Sequence, residues 1–290
     1  VFPSATSSNN HKPEHSLSTV SKAIDLLSWF SVERAQIGLA EFQRLTGRDK
    51  ATTYRYLSAL EESGLLEQDS QTRAYRMGPA VLRLAHVREA TVPRRSGVRL
   101  VLPALAEATG ELAHASILQG TSLVTLTDHA STRHSARVVL DEPVLPLHAT
   151  GSGLAVLAVA DHALLKATLK KLDRYTDKTH TSKAALEEAV QQTRQTGFGI
   201  IDQAYEEGVF GIGVPLFDSS NSVAGAVAVA SVATRVTAES IDIIKRELIT
   251  AARQITRSWG GTIPVKLDQL WDDTLSSPPV ELTARREHTA

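Results

Sequence analysis

The chain has 290 residues, 42% hydrophobic and 22% charged, and its 31 basic and 32 acidic side chains leave a formal charge of -1. This composition fits a globular protein of two domains, at roughly 100 to 200 residues each, and it excludes a global field drawing the chain to nucleic acid. The absence of cysteine excludes disulfides, thiol catalysis and Cys-ligated zinc.

Residues 1–15, rich in Ser, Asn and Pro, are expected to form a disordered arm. They lack a basic start followed by an apolar core, so the expected location is the cytoplasm. No apolar run approaches the ~20 residues that span a bilayer, so no membrane partner is expected. Order is expected to begin at Ser18, with Ser18 or Thr19 capping a helix through Val20, Ile24, Leu27 and Phe30.

Residues 39–60 read as a helix, a turn at Thr46-Gly47-Arg48-Asp49, and a second helix, the order of a helix-turn-helix. In the second helix Thr53, Tyr56, Leu57 and Leu60 recur at helical steps and are expected inside. Ala51, Thr52, Arg55 and Ser58 then face outward, a small, cationic surface suited to a groove. Arg44, Arg48, Lys50 and Arg55 stand against Asp49 alone, so this stretch is locally positive. Its candidate DNA contacts are those four cations with Ala51, Thr52, Tyr54 and Ser58. A solvated helix of a small helical domain is the plainer reading. What favours a DNA reader is the next segment, in which strands near 65–66 and 74–77 flank a polar turn at 69–73. A helix-turn-helix closed by such a hairpin is a winged helix, and Arg73 and Arg76 are its wing cations.

An apolar-periodic segment from Val81 to Val87 suggests a linker helix, and Pro93-Arg94-Arg95 marks the boundary. Beyond it the expectation is a helix over 98–109 and strands at 113–118 and 123–127, with a third near 137–140. A small-residue loop, 149–153, precedes an apolar helix over 154–160, and free amides at such a helix start suit an anionic ligand. Helices at 162–172 and 183–196 follow, then strands at 198–202, 212–217 and 223–231, and a helix over 238–259. Residues 261–290 are expected to be a disordered tail.

These motifs resemble the IclR family of bacterial transcriptional regulators. The resemblance rests on GRDKATTYRYL from Gly47, SGLL and YRMG in the wing, LPLHATGSGLAVLA from Leu145, GFGI at Gly197 and GVFGIGVPLFD from Gly208. It implies an α+β chain: an N-terminal winged helix-turn-helix over 16–78, a linker helix over 79–95, and a C-terminal GAF-like α/β effector-binding domain over 96–260. It also implies dimers or tetramers on palindromic double-stranded operators near catabolic genes, and effectors that are often small organic or aromatic acids. By position the pocket would involve Gly151, Ser152, Gly153, Asp202, Gly211, Ala228 and Ala230, with His134, Val138, Leu145 and Tyr205. Ala228 and Ala230 offer methyl groups where glyoxylate- and pyruvate-sensing members carry hydroxyls, which argues against a very small acid held in that manner.

The competing class is an enzyme with a fused DNA-binding domain, with Ser152 as nucleophile. The nucleophile elbow needs G-x-S-x-G after a strand, and Thr150 holds the first glycine position. His114, His129, His134 and His148 lack the helical spacing that would make a metal site specific. No cofactor and no metal is expected.

Overall fold

The computed structural model describes residues 19–278. The expected arm over 1–15, the cap at Ser18 and residues 279–290 of the expected tail lie outside them. The chain divides into two compact units, Val1–Val92 and Pro93–Ala290.

In the first unit, α1 (Thr19–Ile24) runs into a 3-10 turn at Asp25–Trp29, followed by α2 (Leu39–Thr46) and α3 (Lys50–Glu62). Between α2 and α3 the chain turns on Gly47, whose φ of 67° is open to glycine at little steric cost. Asp49 then caps α3, its carboxylate accepting the Thr52 amide at 2.9 Å. Thr53, Tyr56, Leu57 and Leu60 face inward as their spacing predicts, joining Leu26, Ile37, Phe42, Leu66 and Tyr75 in one core. Strands β1 (Leu66–Gln68) and β2 (Tyr75–Met77) form the antiparallel hairpin. Ile37 adds a bridge to Tyr75 that the sequence reading does not contain. Helix α4 (Ala80–Thr91) buries none of its side chains within this unit.

The second unit begins with α5 (Arg94–Thr109), β3 (Leu112–Gln119), β4 (Ser122–Ala130) and β5 (Val144–Pro146). Next come α6 (Gly151–Val159), α7 (His162–Thr168), α8 (Lys183–Thr196), β6 (Gly199–Asp202), β7 (Val209–Phe217) and β8 (Val223–Val232), then α9 (Ala238–Ser258) and α10 (Val265–Ser276). The six strands make an antiparallel sheet in the order β5-β4-β3-β8-β7-β6. Alternation assigns its faces. Ala113, Ala115, Val227, Val229, Ile212 and Val214 pack with α5, α9 and α10. Ala226 lies on the opposite face, in the cluster that holds Leu154 and Leu157 of α6 and Leu186 and Val190 of α8.

Four expectations are corrected. The third strand is not at 137–140, which is irregular; β5 lies farther on, at Val144–Pro146, paired with β4. Gly151, Ser152 and Gly153 are not a loop but the first turn of α6, capped by Thr150. They can be helical because the turn rests on a strip of strand glycines: a Cβ on Gly213 would lie 2.6 Å from the Ser152 nitrogen. Helix α7 stops at Thr168, short of 172, and residues 171–174 have no regular structure. The expected disordered tail contains α10, whose Trp271 is fully buried and donates its indole N–H to the Gly197 carbonyl at 3.2 Å. Among the described residues no helix is long and apolar enough to cross a membrane.

Candidate functional site

Two separate surfaces carry the predicted site residues. On the first unit, α3 exposes Lys50, Ala51, Tyr54 and Arg55, with Thr52 and Ser58 half-buried beside them and Arg44 exposed on α2. The Arg55 guanidinium stands 5.5 Å from the centroid of the Tyr56 ring, which holds its stem along the helix while the charge stays in solvent.

Two of the predicted cations are engaged within the unit. Arg48 donates to the Lys22 carbonyl at 3.2 Å and to the Asp25 carboxylate at 3.1 Å, fastening the turn to the first helix. Its guanidinium is therefore a structural tie. Arg76 pairs with Glu67 at 2.6 Å across the hairpin, an exposed ion pair of modest strength. Arg73 sits at the hairpin turn with φ of 60°, held by its own N–H to Asp69 C=O at 2.9 Å. The Asp69 carboxylate fixes the same turn by accepting from the Thr72 amide and hydroxyl and from the Gln71 amide, and those bonds hold it below the ordinary carboxylate range. Arg73 is thus the wing cation at the turn, and Arg76 stands on the adjoining strand paired with Glu67.

On the second unit, the start of α6, the α6-facing side of β3 and β6–β8, and the segment 138–142 enclose a cavity of about 350 Å³. Val138, Leu145, Gly151, Ser152, Tyr205, Gly211, Ala228 and Ala230 of the predicted set line it. Tyr175 joins Tyr205 edge to face, with ring centroids 4.8 Å apart. The Tyr205 hydroxyl is pushed up to about 12, first by burial and then by the charge of Glu142. Glu142, Asp141 and Glu206 are exposed at the mouth.

Three predicted residues are not brought into this cavity. Asp202 follows Ile201 on β6; alternation turns Ile201 inward and Asp202 outward, where Lys178 Nζ meets it at 2.6 Å and holds its carboxyl below the usual range. Gly153 is buried against the Leu147 backbone, where no side chain fits. His134 lies beside Gly110 at the end of α5: its Nε2 would be 3.5 Å from a Cβ placed on that glycine.

His114 is the residue that the sequence reading missed as a pocket group. It lines the cavity, is 6% exposed, and neither ring nitrogen has a hydrogen-bond partner among the described residues. Burial lowers its pKa to about 4, so the ring is neutral near pH 7. Its place in an apolar alternating strand resembles that of any core residue, and only the fold reveals that its nitrogens go unpaired.

The Ser152 hydroxyl donates to Thr150 Oγ1 at 3.3 Å, and Thr150 also accepts from the Gly153 amide at 3.0 Å and donates to the Pro146 carbonyl at 2.8 Å. That network orients the helix start and supplies no base to the serine. His148 is occupied outside the cavity, with Nε2 2.9 Å from the Asp173 carbonyl. Among the described residues no group of three or more His, Asp or Glu side chains could hold a metal ion.

Residues 19–70 match the family described as the IclR helix-turn-helix domain, and residues 91–257 match that described as the bacterial transcriptional regulator IclR C-terminal domain. The chain is 31% identical to the HTH-type transcriptional regulator BhcR of Paracoccus denitrificans, over 81% of its own length and 85% of that protein. It is 41% identical to a solved IclR-type transcriptional regulator from Silicibacter sp. TM1040, with a TM-score of 0.80 over 86% of this chain and 98% of the other. An IclR homolog from Microbacterium hydrocarbonoxydans, solved in complex with 4-hydroxybenzoate, shares the fold at 20% identity, with a TM-score of 0.67 over 83% and 100% of the two chains.

Proposed function

This chain belongs to the IclR family of bacterial transcriptional regulators, and from that premise we propose that it reads an operator through the exposed face of α3 and is controlled by an organic acid bound in the cavity beside α6. The observation that carries the second half is the cavity itself: about 350 Å³, apolar-walled, with a helix start and an unpaired His114 at its floor. The 4-hydroxybenzoate complex of the Microbacterium protein supports an aromatic acid as the class to try first. The test is a thermal-shift screen of the full chain with aromatic and aliphatic acids, each hit then added to a gel shift on the DNA upstream of its own gene. A compound that raises Tm, changes operator affinity and is recovered unchanged supports the reading. Turnover of the compound would favour the enzyme alternative.

The DNA contacts are assigned to Lys50, Thr52, Tyr54, Arg55 and Ser58, with Ala51 permitting close approach and Arg44 and Arg73 at the margins. Arg55→Ala is expected to weaken operator binding about tenfold to a hundredfold, the loss typical of one specific or phosphate contact, with the fold unchanged because Arg55 is exposed. Gel shifts at fixed salt check this, and an unaltered affinity would remove α3's outer face from the interface.

The chain is further proposed to act as a dimer or a pair of dimers in the cytoplasm. Helix α4 supports this: it leaves Leu82, Leu84 and Val87 exposed within its unit, a display that a single chain gains nothing from. Leu84→Asp combined with Val87→Asp should shift the sedimenting species to the mass of one chain and abolish cooperative operator binding. An unchanged mass would assign the subunit contact elsewhere. Effector control then requires only that the acid bind one arrangement of the paired subunits more tightly than the other, since equal affinity shifts nothing.

A further inference from the structure

One row of the sheet runs beneath the cavity. His114 on β3 pairs with Ala228 on β8, and Ala228 pairs with Gly213 on β7. The first turn of α6 stands over the Gly213 end, because a Cβ there would lie 2.6 Å from the Ser152 nitrogen. His114 stands at the other end, on the cavity side of β3 and opposite to Ala113 and Ala115, which enter the α5/α9 core. Between the two, Ala228 contributes a single methyl group.

The two ends are complementary to one kind of group. The amides of Gly151 and Ser152 precede the first intrahelical bond of α6, which runs from Leu154 N–H to Thr150 C=O, so they belong to the orphan donors of a helix start. The His114 ring is buried, and among the described residues neither of its nitrogens has a partner. An anion over Ala228 would have donors on both sides.

The surroundings forbid that anion from arriving with its charge uncompensated. The ionisable groups about the row are Asp128, the cross-strand neighbour of His114 on β4, Asp141 and Glu142 before β5, Tyr175, and Tyr205 and Glu206 after β6. β7, β8 and α6 bring none to the lining, and among the described residues no Lys or Arg lines the cavity. The one lining side chain able to become a cation is His114.

We propose that this row is a proton-coupled carboxylate site: one carboxylate of the effector lies over Ala228 between the α6 start and His114, and the His114 ring takes up one proton from solvent as the anion enters. The inference rests on the reading of the cavity as the effector pocket. The one bond made is an N–H on the His114 ring, its proton given up by an O–H of solvent; an anion and a proton enter together, and the pocket gains no net charge. Burial keeps the ring neutral in the free chain, and the adjoining anion reverses that preference. A second carboxylate at the mouth would face Asp141, Glu142 and Glu206 with no Lys or Arg among the described lining residues to offset them, so the site selects monocarboxylates whose remaining body is apolar.

The sign of the pH dependence follows. Binding consumes a proton, so affinity rises as pH falls, by about tenfold per pH unit between the free and bound pKa values of the ring. Calorimetry of the full chain with 4-hydroxybenzoate and phenylacetate, each beside its uncharged amide, in phosphate and in Tris from pH 6.5 to 8, reads the proton directly. The expected result is uptake of one proton with a carboxylate and of none with an amide. His114→Asn should erase both the uptake and the pH dependence; His114→Phe, which keeps an apolar-walled fold, provides the second variant. A carboxylate bound without proton uptake, or with uptake that persists in both variants, overturns the proposal while leaving the effector pocket in place. Tighter binding of the amides does the same. If no acid and no amide binds, both the proposal and the pocket reading fall.

Discussion

Trp271→Ala is expected to destabilise the second unit by about 3 to 5 kcal/mol, the usual range for removing a large buried aromatic. Trp271 is 0% exposed and shares the main core with Phe198, Leu248, Ile249, Ile255 and Leu267. Its indole edge fills the space above Gly197, the left-handed glycine that ends α8 at φ of 81°. Truncation therefore opens a cavity and at the same time leaves the Gly197 carbonyl without its donor. The measurement is urea unfolding of the full chain followed by far-UV circular dichroism, with Asp272→Ala as the control on the same helix. Asp272 is mostly exposed and pairs with Arg253 at 2.6 Å, so its loss should cost no more than about 1 kcal/mol. A Trp271→Ala midpoint coincident with the parent would mean that α10 is not part of the core.

That helix also shows where the sequence ceases to be readable. Its apolar residues, Val265, Leu267, Leu270, Trp271 and Leu275, are few, and they stand between Gly260-Gly261 and Ser276-Ser277-Pro278, which read as the borders of a tail. What makes the segment a helix is its seat on Gly197, 74 residues earlier. By contrast α3 and α8 are legible because their determinants are local. Asp49 caps the first, and Ser182 and Gly197 bracket the second.

The candidate site divides in the same way. Ile201 and Asp202 differ by one step along a strand, and strand parity alone separates the pocket wall from the solvent side, so that distinction is legible in the sequence. The pairing of Arg48 with Asp25 and the helical state of Gly151 to Gly153 are not legible there, since each depends on a partner brought up by the fold. His114 belongs to the second kind. A histidine in an apolar strand gives no local sign of whether its nitrogens will find partners.

Ala228→Leu is expected to weaken effector binding about a hundredfold or more, equivalent to ~2.7 kcal/mol, while leaving the fold and effector-free operator binding intact. The separation of effects follows from where the side chain goes. Ala228 lies on the cavity face of β8, between His114 and Gly213, so three added carbons project into space already open beside the α6 start. The same enlargement at Ala226, one step along that face, would instead press into the α6/α8 cluster, where Ala226 is fully buried. The leucine would stand where a ligand group must sit to reach both the helix start and the His114 ring. The screened acid that raises the parent's Tm is the probe, with calorimetry for affinity and the gel shift for output. Retention of parental affinity would show that the ligand bypasses this row, and would move the effector site away from β8 altogether. Loss of operator binding in the absence of effector would instead mean that the row supports the DNA-bound state directly, making Ala228 a coupling position as well as a wall.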